Sequence, residues 1–304
     1  YSEDFTTSLT LLSTMAIALI LASTMLNRIL RTGVAAAAIL GALATPVTAA
    51  ESERESANAA LTNPLLYAIA WRQTAAEFRA LYYQGFALAQ LRVEQALAAR
   101  GASASNDTRP LAVITDVDET VLLSGAYWGQ LIAEGGDFFD DATWDAWVPN
   151  NEFVASPGAR EFAAFCEANG VTLFFVTNRD QGEATFELAL GNLRAAGFEN
   201  VRAENLRVLR ETSNKEAVQA QIRSDYRVIA SLGDNLNDFA RRYYVIDVAE
   251  REALMHADAA RFGTDYIVFP NPTDGHWIRA IFGESEPAPT EANRQVLRAA
   301  AVGR

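Results

Sequence analysis

Asp116 and Asp118 stand two residues apart in Asp116-Val117-Asp118-Glu119-Thr120, directly after the apolar run Leu111-Ala112-Val113-Ile114. In an extended segment, side chains at i and i+2 point the same way, so both carboxylates can reach one ligand once the strand ends. Two acids side by side at a buried strand end repel one another, which calls for a cation or a shared proton between them. Phosphoryl chemistry with a divalent metal is the first reading of this pair.

Two later apolar runs also end in polar residues. Phe174-Phe175-Val176 leads to Thr177-Asn178-Arg179, and Ile229-Ala230-Ser231-Leu232 leads to Gly233-Asp234-Asn235-Leu236-Asn237-Asp238. Between them, Lys215 opens a helix after Ser213-Asn214. Together these groups supply a complete chemistry. One carboxylate attacks phosphorus and forms an acyl phosphate. A second protonates the leaving oxygen and then activates water. A hard cation such as Mg²⁺, held by oxygens, neutralises the transferring group. A hydroxyl and an ammonium bind the remaining phosphoryl oxygens.

The elements that must gather these segments alternate along the chain. Strands are expected at 111–115, 171–176, 206–209 and 228–232, with short ones at 243–245 and 266–269. Helices are expected at 158–169, 181–196 and 214–223, the first two closed by Gly170 and Gly197. Residues 65–100 read as one long helix or two short ones, stopped by Gly101, and 101–110 as a loop. Repeated βα units imply a parallel sheet with helices on both faces, and ligands in such sheets bind beyond the carboxyl ends of the strands. Residues 124–156, rich in Trp, Phe and Asp, break the alternation and fit an inserted cap.

The 304 residues suffice for one large domain with a cap, and 50% are hydrophobic. With 25 Lys and Arg against 38 Asp and Glu, the formal net charge is −13, which argues against a nucleic-acid polymer as partner. The single cysteine, Cys166, excludes an intrachain disulfide and is expected to be an inert core residue. Met25-Leu26-Asn27-Arg28-Ile29-Leu30-Arg31, an apolar stretch from Gly33 to Ala44 and small residues before Ala50 form an export signal, cleaved near Ala49. Translation is expected to start at Met25. The rival reading of the preceding segment is a membrane anchor, since Leu9–Leu26 is 18 residues long. No cysteine lies near the cleavage region, so a soluble periplasmic or secreted protein is expected, not a lipoprotein, with membrane contact only through an uncleaved leader.

The series Asp116-Val117-Asp118-Glu119-Thr120, Thr177-Asn178, Lys215 and Gly233-Asp234-Asn235-Leu236-Asn237-Asp238 resembles the four motifs of the haloacid dehalogenase (HAD) superfamily. More narrowly, the chain resembles the class C acid phosphatases, a group that includes the 5′-nucleotidase lipoproteins. That likeness rests on Trp71-Arg72-Gln73-Thr74-Ala75-Ala76-Glu77, Tyr127, Trp144, Trp147, Pro157-Gly158-Ala159, Asn178-Arg179 and Phe269-Pro270-Asn271-Pro272 with Gly275 and Trp277. It implies a Rossmann-like α/β fold: a doubly wound parallel sheet, helices on both faces and a small, mainly helical cap. The expected organisation is a doubtful upstream segment (1–24), a signal peptide (25–49), a linker (50–64), a helical region (65–110), a phosphatase core (111–282) with its cap near 124–156, and a tail (283–304).

By the same resemblance, Asp116 is the nucleophile and a metal ligand. Asp118 is the general acid and base and lends the metal its backbone carbonyl. Asp234 is the third protein ligand, and Asp238 supports the metal. Thr177, Asn178 and Lys215 bind the phosphoryl group, and Tyr127, Trp144 and Arg179 belong to the substrate pocket. The substrate implied is a small phosphomonoester, with nucleoside monophosphates as one candidate and Mg²⁺ as the single cation; a homo-oligomer is a further expectation. Asp274 stands where nucleotidase members carry a base-stacking tyrosine, a departure that speaks against nucleotides. Plainer readings stand beside these. Trp144 and Trp147, spaced i, i+3, suit core packing, and Tyr127 suits packing beside the site. His256 and His276 suit structural or surface positions. Arg241-Arg242 and Asp137, Asp140 and Asp141 suit solvated surface. The rival functions are a phosphotransferase and a non-catalytic binding relative on the same scaffold.

Overall fold

The computed structural model describes residues 63–101 and 107–303. The expectations for residues 1–62, export signal and possible anchor among them, lie outside the described residues. Strand β1 (Leu111–Thr115) is the centre of the architecture, and all five of its residues are buried. Its side chains alternate between two cores: Leu111 and Val113 join the larger one, Ala112 and Ile114 the smaller. A strand buried on both faces reads as an unbroken apolar run, which is why the sequence shows no alternation there.

Four further strands complete a parallel sheet: β4 (Thr172–Asn178), β5 (Leu206–Leu209), β6 (Arg227–Gly233) and β7 (Tyr266–Val268). Their order is β5-β4-β1-β6-β7, so β1 is flanked by β4 and β6. The sheet order turns at β1, and the crevice at that point opens beyond the carboxyl ends of β1, β4 and β6.

The larger core is covered by α2 (Ala76–Gly101), α5 (Ala159–Ala168) and α6 (Thr185–Ala195). On α2, Phe78, Tyr82, Phe86, Ala89, Val93 and Ala96 fall three or four residues apart and form one buried stripe. Helix α7 (Glu216–Asp225) covers the other face through Ile222 and Val218. The leading helical region is two helices, because α1 (Leu66–Thr74) ends where Ala75 turns extended.

The cap rises from a two-stranded antiparallel base, β2 (Leu122–Leu123) and β3 (Val154–Ala155). Between them lie α3 (Gly125–Ala133), α4 (Asp141–Trp147) and a 3₁₀ turn at Val148–Asn150. Tyr127, Trp128, Phe139, Trp144, Trp147 and Phe153 pack edge to face or tilted within it.

Three expectations are corrected. Residues 243–245 form no strand; Arg241–Tyr243 is a 3₁₀ turn, closed because Tyr243 buries its ring, donates to Asp258 and offers its carbonyl to Arg251. Arg241 and Arg242 are not a free solvated pair: Arg241 stacks on Tyr244 and Arg242 pairs with Asp258. Asp137 is not on a solvated loop: it is buried and clasped by Arg294 of α10 (Glu291–Val302). After β7 come α9 (Trp277–Phe282) and then α10, while α8 (Val248–Ala257) lies between β6 and β7. Among the described residues, no helix is long and apolar enough to cross a membrane.

Candidate active site

Asp116 follows β1 directly, and its N–H donates to Leu232 O on β6 at 2.9 Å, which ties the start of the loop to the neighbouring strand. Its carboxylate is buried, 7% exposed. Oδ1 accepts from Lys215, which sits at the amino end of α7. The same ammonium donates to Asp238 Oδ1 at 2.8 Å. Asp238 gives its other oxygen to the Asn235 N–H at 3.0 Å, closing a capping box around the turn after β6. Asp234 sits at the end of β6, and Thr120 Oγ1 lies 3.3 Å from both Asp116 Oδ2 and Asp234 Oδ1.

Oxygens of Asp116, Asp234 and Asp238 come within 4.8 Å of one another. Burial pushes Asp116 up to about 7; Lys215 opposes the rise, while Asp238 and Asp118 add to it. Burial, then Asp238 and Asp116, raise Asp234 well above the usual carboxylate range. Burial works to lower Lys215, but Asp116 and Asp238 outweigh it and hold the ammonium above its ordinary value. Two buried acids, Asp116 and Asp238, thus share one ammonium, with the half-buried Asp234 beside them. A hard divalent cation, held by oxygens, fits this donor set and offsets the repulsion that adds to the effect of burial on the two carboxyls.

Asp118 is held differently. Thr177 Oγ1 donates to its Oδ2 at 2.9 Å, and Arg179 forks onto it through Nε at 2.8 Å and Nη2 at 2.5 Å. The third arm of Arg179 reaches Asn192 Oδ1 at 2.7 Å, and its guanidinium lies over Phe153 at 4.7 Å. The Thr177 hydroxyl is therefore committed to Asp118 here, and Arg179 lines the cavity as the partner of that acid. Asn178, at the exposed end of β4, lines the same cavity.

That cavity has a volume of about 510 Å³ and holds Asp116, Asp118, Lys215 and Asp234 at its floor. Trp128, Phe139 and Trp144 form an apolar wall, and Asp141, Asp274 and Glu286 an acidic one. Tyr127 is not part of the wall. It is fully buried, its hydroxyl exchanges hydrogen bonds with the Asp140 backbone at 3.0 and 3.2 Å, and its ring meets Trp144 edge-on at 5.1 Å. An amphipathic tyrosine in a nine-residue helix can face in or out, and here the cap core takes it.

Several residues of the site escaped the sequence reading. His276 lines the cavity; its N–H donates to Asn235 Oδ1 at 2.7 Å, and burial lowers its ring to about 4. Gly275, at φ 124°, leaves the space that the Asn235 amide fills. Asn271 Nδ2 donates to Asp234 Oδ2 at 2.8 Å. Arg72 and Ser124 both donate to Glu119, which holds a left-handed backbone at φ 57°. Asn271 and Arg72 fall in segments that carry the family likeness, but no local pattern tells which distant acid each one serves.

Comparison with known proteins gives the family. A family model described as HAD superfamily, subfamily IIIB (acid phosphatase) matches residues 42–277. Two crystal structures of the class C acid phosphatase from Bacillus anthracis, one with tungstate bound, are similar to this chain at a TM-score of 0.69 and 27% identity. The match covers 79% of this chain and 97% of theirs.

Proposed function

The chain belongs to the acid phosphatases of HAD subfamily IIIB, and from that premise we propose that it hydrolyses small phosphomonoesters through an aspartyl phosphate on Asp116, with Mg²⁺ as its cation. The observation that carries the mechanism is the buried Asp116 carboxylate, tied to Lys215 and set at the floor of the cavity among Asp234 and Asp238. An Asp116 oxygen attacks phosphorus, and the bond from phosphorus to the ester oxygen breaks. Asp118, beside it on the same loop, gives the departing alcohol its proton. Asp118 then takes a proton from water as that water attacks the acyl phosphate, and the Asp116–phosphorus bond breaks to release phosphate. Lys215 offsets the charge of the acids and binds a phosphoryl oxygen, and Asn178 at the cavity wall binds another. Asp116, Asp234 and the Asp118 carbonyl would hold the cation, with Asp238 in support, and the cation would supply positive charge to the transferring phosphoryl group.

The wall opposite the floor favours an organic leaving group with little negative charge, since Trp144 and Phe139 offer apolar surface while Asp141, Asp274 and Glu286 repel further phosphates. Asp116→Asn removes the attacking oxygen and leaves the shape. Turnover of an aryl phosphate is expected to vanish, and EDTA is expected to abolish wild-type turnover until Mg²⁺ is restored. Substantial hydrolysis by Asp116→Asn would overturn the mechanism. The residues from Met25 to Ala49 support export with cleavage near Ala49; amino-terminal sequencing of the secreted product tests that.

A further inference from the structure

We propose that Arg72 is a positioning residue, joining the loop that bears Asp116 and Asp118 to the Asp234 carboxylate through a buried relay of Thr273 and Asn271. The inference rests on the cation site put forward above. Arg72 lies on α1, 5% exposed, far in sequence from every motif of the site. Its guanidinium splits. Nη2 donates to Glu119 Oε2, and Nη1 donates to Thr273 Oγ1 at 2.5 Å. Glu119 Oε1 is taken by the Ser124 hydroxyl and its N–H, the latter at 3.3 Å. Tyr82 on α2 donates to the Glu119 carbonyl at 2.5 Å. Two helices outside the catalytic motifs therefore hold the one left-handed residue of the loop, directly after Asp118, where a non-glycine backbone is strained.

The second arm of Arg72 starts a chain with a single direction. Thr273 accepts from Arg72, so its own proton goes to Asn271 Oδ1 at 2.9 Å. Asn271 Oδ1 also accepts the N–H groups of Thr273 and Asp274 at 3.1 and 3.2 Å. With its oxygen fixed by three donors, the amide cannot turn over, and its Nδ2 is presented to Asp234 Oδ2. The Asn235 amide donates to the same oxygen at 2.9 Å. Oδ2 is thus occupied, and Oδ1 is the oxygen turned toward Thr120 and Asp116. Each bond donates from the guanidinium toward the carboxylate, so the bonds polarise one another in the same sense. Neutralising Glu119 needs only one arm; the second arm accounts for an arginine at this position, because lysine lacks the fixed fork.

The decisive variant is Thr273→Val, which breaks the relay and leaves the Arg72–Glu119 pair intact. Mg²⁺ alone is titrated calorimetrically into the full chain after EDTA treatment, and Tm is measured beside it. Loss of a partner that orients a metal ligand weakens metal binding by about 10–100-fold, and that weakening is expected with little change in Tm. Thr273→Ser keeps the hydroxyl and is expected to retain wild-type affinity. Arg72→Lys keeps the charge without the fork and is expected to bind about tenfold more weakly. Wild-type affinity in folded Thr273→Val or Arg72→Lys overturns the relay, as does weak binding by Thr273→Ser. A wild-type chain that takes up no Mg²⁺ is a separate result, which removes the cation site itself.

Discussion

Arg179 shows how one side chain can orient a neighbour. Its fork meets both oxygens of Asp118, and its own place is fixed by Asn192 and by the face of Phe153. A bidentate guanidinium fixes the direction of a carboxylate. Asp118 is the group proposed to move protons, so Arg179 acts on the chemical step more than on substrate capture. Arg179→Met is expected to lower kcat for an aryl phosphate by about 10²–10⁴-fold, the range that a general acid contributes. KM is expected to change far less, because phosphoryl binding falls to Lys215 and Asn178. Steady-state kinetics separates the two parameters, and a variant that raises KM with kcat intact would move Arg179 back to substrate capture. The family likeness, through Asn178-Arg179, placed Arg179 in the pocket. It did not reveal the acid it serves, because that pairing joins the end of β4 to the loop after β1 across 61 residues.

At the scale of elements, α2 is the platform of the catalytic loop. Tyr82 stacks on Phe269 with ring centroids 5.1 Å apart, and Phe86 meets the same ring at 4.7 Å. Gly85 lies between them, and a Cβ there would stand 2.6 Å from the Phe269 ring. Helix propensity alone predicts that Gly85→Ala stabilises an interior helical position by about 1 kcal/mol. Crowding in a packed core costs about 1–3 kcal/mol and is expected to win. Chemical denaturation of Gly85→Ala should show a net loss of stability, and an alanine variant as stable as wild type would mean that α2 can lift from the sheet. Strands β1, β4 and β6 and their polar ends were legible because an apolar run followed at once by acids or by Thr-Asn is a local signal. The closing glycines of α5 and α6 were legible for the same reason. The 3₁₀ turn at Arg241–Tyr243, the burial of Asp137 and the Arg72 relay were not. Each depends on which distant group satisfies a side chain, and no spacing along the chain encodes that.

Over the whole molecule, the excess of acid is distributed with purpose. The net charge is −13; many of the described carboxylates are exposed, but some acids line the cavity. Burial raises Asp274 from 3.8 to about 6, and burial with the nearby Asp141 and Asp274 raises Glu286 from 4.5 to about 7. A carboxyl whose folded value lies above its unfolded one binds its proton more tightly in the fold. Its ionisation therefore favours the unfolded chain, with the penalty absent below the unfolded value and complete above the folded one. For Asp274 that window runs from 3.8 to about 6, so this group makes the fold more stable as pH falls through it. Asp274→Asn keeps an acceptor oxygen and removes the charge. It is expected to raise Tm by a few degrees at about pH 8 and to leave it unchanged at about pH 4. Thermal melts of both chains at the two pH values check the sign. A gain at about pH 4 as large as at about pH 8 would trace the effect to packing, and no gain at either would show that Asp274 finds compensation in the cavity.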